Sequence, residues 1–115
     1  MRSKFILIVL SIAVFSACNA KLMELTQADA ERGSAKFKEV TLARLNEGKN
    51  IYKQNCDECH RLKKPSSFQE DKWNKMVPVM VKKLNEKFRK EVVDAKGQEL
   101  MLEYLVTMSG ASKKK

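Results

Sequence analysis

Cys56-Asp57-Glu58-Cys59-His60 reads C-x-x-C-H, and no other stretch of the chain is as specific in its chemistry. Two thiols separated by two residues suit addition to the two vinyl groups along one side of a haem. The histidine that follows brings an imidazole beneath the iron as proximal ligand. Other readings of the five residues run short of partners. A structural zinc site takes four Cys or His ligands, whereas the chain has three cysteines and one histidine, and Cys18 is accounted for in the leading segment, which leaves three. A thioredoxin-like dithiol sits beside a βαβ pattern, and the apolar spacing here is helical throughout. The motif therefore points to one haem c, attached through Cys56 and Cys59 and ligated by His60.

Helical periodicity surrounds the motif on both sides. Thr41 has the character of an N-cap for a helix that carries Leu42, Leu45, Tyr52 and Cys56 on one face. Gly48 inside that helix costs about 1 kcal/mol relative to alanine, which implies close approach of another helix. Pro65-Ser66-Ser67 marks a loop, and Ser67 followed by Glu70 has the spacing of a capping box. The next helix places Trp73, Val77, Met80 and Leu84 on an apolar stripe, with Pro78 expected to kink or interrupt it. A last helix from about Asp94 to Met108 carries Leu100, Met101, Tyr104, Leu105 and Met108 on its inner face, with Gly110 just beyond its end. No segment alternates as a strand does. The expected fold class is all-α: a small domain of three to four helices around one covalent haem.

The first residues read as an export signal. Arg2 and Lys4 precede the apolar run Phe5–Phe15, which has the length of a signal-peptide core rather than of a membrane span. Phe15-Ser16-Ala17-Cys18 resembles a bacterial lipobox, with Phe15 where leucine is usual. That resemblance implies cleavage after residue 17 and lipid on Cys18; ordinary cleavage after Ala20 is the competing reading. Several acyl chains would hold the protein firmly to a membrane, as one alone does not. Asn19, in place of the aspartate linked to inner-membrane retention, favours the outer membrane. Residues 18–40 then form a loosely ordered, lipid-anchored tether with a helical turn or two after Thr26, broken at Gly33. Residues 41–110 form the domain and 111–115 a basic tail.

Lysine and arginine number 23 against 14 acidic residues, a formal charge of +9, and loss of Arg2 and Lys4 lowers it to +7. Lys49, Lys53, Arg61, Lys63, Lys64, Lys72, Lys75, Lys82 and Lys83 cluster along the haem segment and the helix after it. They suit either a docking face for redox proteins with acidic surfaces or a plain solvated face. Nucleic acid is no natural partner for an exported haem-bearing chain. So small a domain also has a limited core, so the haem itself acts as a staple, and a monomer is expected.

Gly48 and Tyr52 leading into the C-x-x-C-H segment, the following R-L-K-K-P, Trp73 with Met80 seven residues on, and the closing Tyr104–Met108 together resemble a class I-type bacterial cytochrome c domain. The likeness covers about residues 41 to 108. It is similar to single-haem lipoproteins and to one half of the dihaem cytochromes c. The resemblance implies that the first and last helices of the domain cross near the haem.

His60 is the only histidine, so a second histidine ligand from the same chain is excluded. The candidates for the sixth position are Met76, Met80, Met101, Met108, a lysine or an open site. Met80 is favoured by its place in mid-stripe, and in the family resembled the methionine seven residues after the tryptophan binds the iron. Met76 is the runner-up. His60 and Met80 would give a comparatively high potential. The expected function is electron transfer on the periplasmic side of a bacterial membrane, by a lipid-anchored electron carrier and not an enzyme. A haem-based sensor with an open site, or a haem subunit of a larger oxidoreductase, are the alternatives.

Overall fold

The computed structural model describes residues 22–56 and 62–111. Among them are four helices and no strand: α1 (Gln27–Ser34), α2 (Leu42–Asn55), α3 (Glu70–Phe88) and α4 (Ala95–Ala111), with a short 3-10 turn at Pro65–Ser67 between α2 and α3. The all-helical expectation holds for these residues. Cys18, Cys59, His60 and the basic tail beyond Ala111 lie outside them.

α4 is the axis of the fold, because α1, α2, α3 and the 3-10 turn all pack on it. Its sequence explains that role. Leu100, Met101, Tyr104, Leu105, Val106 and Met108 are all buried, so α4 is apolar around most of its circumference. Asp94 starts it by accepting a hydrogen bond from the Gly97 amide at 2.7 Å. Asn85 braces the approach, donating to the Val93 carbonyl and accepting from the Val93 amide, each at 3.0 Å. The chain leaves α3 through Arg89, whose φ of 55° is the left-handed turn that ends many helices. Gly110 does not terminate α4 as expected: it sits within the last turn, which runs on to Ala111.

α2 begins as the sequence implies, with Thr41 extended and its hydroxyl accepting from the Arg44 amide at 3.1 Å. Gly48 lies against α4. A Cβ there would collide with the Leu100 carbonyl and stand 3.0 Å from Tyr104 Cβ, so only glycine lets the helices approach this closely. The contact is locked by Arg44, which donates to the buried Glu103 from Nε at 3.0 Å and from Nη2 at 2.5 Å. That bond holds the Arg44 guanidinium above its usual pKa.

Two expectations for α3 need correction. Ser67 belongs to the 3-10 turn and Gln69 precedes the helix without a side-chain cap, so no Ser67–Glu70 box forms. The Glu70 carboxylate instead pairs with Lys36 at 2.6 Å. Pro78 does not interrupt α3, which is continuous over 19 residues. The amide that proline lacks leaves one carbonyl without its helical partner, tolerable where the residue is solvent-exposed, as Pro78 is.

The largest departure concerns the approach segment. Residues 22–40 are not a loose tether but part of the packed body. Leu22 joins the main core, and Ala30 and Val40 form a second cluster with Leu45. Asp29 Oδ2 accepts from the Thr26 amide at 2.8 Å and from its hydroxyl at 3.2 Å, which fixes the start of α1. Arg32 pairs with Asp29 at 2.7 Å and reaches the Thr107 carbonyl of α4 from Nε and Nη2 at 3.3 and 3.2 Å. Gly33 lies in the last turn of α1, one residue before its end, and is buried against Thr107 and Val40, where a Cβ would meet Thr107 Oγ1 at 2.7 Å. Lys49, counted above with the surface charges, is buried and donates to the Met23 carbonyl at 3.0 Å. The physical reason is area: so short a chain has too little apolar surface to leave Leu22, Ala30 and Val40 in water.

Candidate functional site

α2 and α3 both pack on α4 rather than extensively on each other, and the space between them is a cavity of about 450 Å³. That is within the usual range for a site that encloses a small organic molecule. The last turn of α2 contributes Tyr52 and Asn55, with Cys56 just after it, α3 contributes Trp73, Met76, Met80, Val81 and Leu84, and Met101 on α4 lies at its base. Phe68 closes one side.

Each lining residue is placed by the fold already described. Cys56 follows α2 directly, its amide still bonded to the Tyr52 carbonyl at 3.0 Å. Its Sγ is 3.7 Å from Met101 Sδ, on the floor of the cavity. On α3, Trp73, Val77 and Val81 are the buried row that meets the core. Met76, Met80 and Leu84 form the adjoining row, half-buried and turned to the cavity. Both methionines favoured for the sixth position therefore face it, one helical turn apart. Met101 lines it beside Cys56, while Met108 is buried elsewhere, with Arg32 Nη2 3.6 Å from its Sδ.

The aromatic wall is rigidly held. Tyr52 stands edge-on to Trp73 at a centroid distance of 6.0 Å and inclined to Tyr104 at 6.1 Å. Phe68 meets Trp73 edge-on at 5.1 Å. The polar tips of Tyr52 and Trp73 are satisfied by the chain that follows the C-x-x-C-H segment. The Tyr52 hydroxyl donates to the Lys63 carbonyl at 2.5 Å, and Trp73 Nε1 donates to the Pro65 carbonyl at 2.8 Å. Burial, then the neighbouring Cys56 and Tyr104, push the Tyr52 phenol far above its ordinary pKa, and burial does the same for Tyr104. Both phenols are neutral across the physiological range.

Polar groups concentrate at the mouth. Lys63, Lys83 and Lys87 all line the cavity, the last two one turn apart on α3. The sequence reading included Lys63 and Lys83 in its basic cluster but not Lys87. It also passed over Phe68 and Val81, whereas Leu84 was read on the α3 stripe; the helical register of Val81 with Val77 was the available signal for that residue.

The donor set suits an iron porphyrin. A flat apolar macrocycle matches walls of Tyr52, Phe68, Trp73 and Met101, its carboxylates match three ammonium groups at the rim, and thioethers are donors for haem iron. No group of three or more His, Cys, Asp or Glu side chains suited to a metal ion occurs among the described residues. A scan against protein-family models, a search of curated proteins and a search of solved structures each returned no match.

Proposed function

We propose that this chain is a membrane-anchored c-type cytochrome that carries one electron at a time between redox proteins outside the cytoplasm. The observation that carries the proposal is the apolar cavity that opens beside Cys56 and is lined on its α3 side by Met76 and Met80. In this reading Cys56 and Cys59 would hold one haem covalently, and His60 and Met80 would ligate its iron, with Met76 as the neighbouring candidate to Met80. The iron supplies a ferrous–ferric couple when the haem is bound.

The protein's own residues do the rest. Tyr52, Phe68, Trp73 and Met101 exclude water and lower the local dielectric, which disfavours the additional positive charge of the ferric state and raises the potential. Thioether ligation acts in the same direction. The rigid aromatic wall keeps the surroundings alike in both oxidation states, so little rearrangement accompanies electron exchange. Lys63, Lys83 and Lys87 at the rim suit acidic redox partners. Cys18 would carry the lipid that keeps the protein on the periplasmic face of a bacterial membrane.

The test is to express the full chain with an export and haem-attachment system and to measure covalent haem by the pyridine haemochrome spectrum. One haem per chain, lost in Cys56→Ala with Cys59→Ala, is the expected result. Slow carbon monoxide binding by the reduced protein is also expected. Rapid, stoichiometric binding would instead indicate an open sixth site and a sensor.

A further inference from the structure

Leu22 is buried in the main core with only 9% of its surface exposed, and it lies four residues after Cys18. We infer that the folded body is held directly against the membrane surface, with the phospholipid headgroups as the occupant of the face around Leu22, Met23 and Lys64. The inference rests on the reading of Cys18 as the lipid-bearing residue, and of the segment between Cys18 and Leu22 it uses only the covalent length.

That length is decisive. Four residues span at most about 14 Å fully extended. From Leu22 onward the chain is pinned: the buried Lys49 donates to the Met23 carbonyl at 3.0 Å, and α1 follows with its Asp29–Arg32 hold on α4. A chain anchored in this way keeps its folded body within about 14 Å of the acylated residue, close enough for the face around Leu22 to meet the headgroups.

The face at the anchoring point has the character such contact requires. Leu22 and Met23 border a small cavity of about 150 Å³ with Lys64, Pro65, Ser66, Tyr104 and Met108. Met23 is one of the few large apolar side chains left exposed, at 56%, and Lys64 beside it is exposed and cationic. An apolar side chain next to an ammonium group suits an anionic headgroup layer. The same loop carries Lys63 on the rim of the larger cavity, so the two cavities are bordered by adjacent residues, Lys63 and Lys64. Electron exchange would then occur along the membrane plane, with partners that are themselves at the surface.

The experiment uses the full, haem-loaded, lipidated protein on vesicles of phosphatidylethanolamine and phosphatidylglycerol. Intact mass first reports whether residue 18 is the acylated N-terminus. Spin labels are then placed singly in Met23→Cys, Lys64→Cys, Val79→Cys and Phe88→Cys, and relaxation by a nickel-chelating lipid is measured. The inference expects enhancement several-fold greater at positions 23 and 64 than at 79 and 88, and equal values after a flexible insertion between Ala20 and Lys21. An acylated protein with equal enhancement at all four sites would overturn the apposition alone. An unmodified residue 18 would overturn the anchor reading and the apposition with it.

Discussion

The Tyr52 hydroxyl donates to the backbone carbonyl of Lys63 and so closes a loop that begins one turn before Cys56 and ends three residues after His60. The same phenol ring packs edge-on against Trp73, which in turn bonds the Pro65 carbonyl. One aromatic pair thus ties both ends of the C-x-x-C-H segment to the helices that wall the cavity.

Tyr52→Phe removes that bond and leaves a carbonyl without its partner. A loss of about 1–2 kcal/mol in chemical unfolding of the haem-loaded protein is expected. The pH dependence has a definite sign. Burial raises the Tyr52 phenol above its ordinary 10.0, so its stabilising contribution is complete below pH 10 and falls as the pH rises above it. The variant is expected to lose part of the alkaline decline in stability seen for the parent.

Gly48→Ala and Gly110→Ala should act in opposite directions. The first drives a methyl group into the Leu100 carbonyl, a rigid obstacle, and is expected to cost about 1–3 kcal/mol or more. The second adds a methyl group where nothing lies within 4 Å, in a helix, and is expected to gain up to about 1 kcal/mol. Thermal unfolding of the two variants checks both.

Asp29 controls the docking of α1 at low pH. Burial pushes its carboxyl up, but the bonds from Arg32 and Thr26 outweigh this and hold it below the ordinary 3.8. Its contribution is therefore complete above pH 3.8 and is lost as the pH falls through the lower folded value. Asp29→Ala is expected to cost about 1–2 kcal/mol at neutral pH and to increase cleavage within residues 22–40 by protease. The excess should vanish in strong acid, where the parent loosens as well.

Much of this architecture was legible in the chain, and what was missed shares one cause. The Thr41 cap, the crowded glycine at 48 and the α3 stripe are local or periodic signals, and the structure has all three. The short helix after Thr26 was read correctly, but the packing of residues 22–40 was missed because their order comes from long-range partners: Lys49 for Met23, and α4 for Arg32 and Gly33. The Thr26–Asp29 pair was the one local hint, since aspartate takes the place that glutamate more often fills. Ser67 shows the converse error, a local pattern overruled by a 3-10 turn whose Pro65 carbonyl is needed by Trp73. At the cavity, Cys56, Met76 and Met80 were read from motif and register, whereas Lys87 at its rim belongs to no motif.

The rim lysines should tune the couple. Replacing Lys63, Lys83 and Lys87 together by Gln removes three positive charges from the cavity mouth, which favours the ferric state. Redox titration is expected to show a lower potential than in the parent, with the difference shrinking as salt is added.

The central claim is that soft sulfur from α3 completes the iron site. Its most direct test is the near-infrared spectrum of the oxidised, haem-loaded protein beside those of Met80→Ala and Met76→Ala. A sulfur-to-iron charge-transfer band that is present in the parent, retained in Met76→Ala and lost in Met80→Ala is the predicted result. A parent protein without that band, or a band that survives both substitutions, would contradict it.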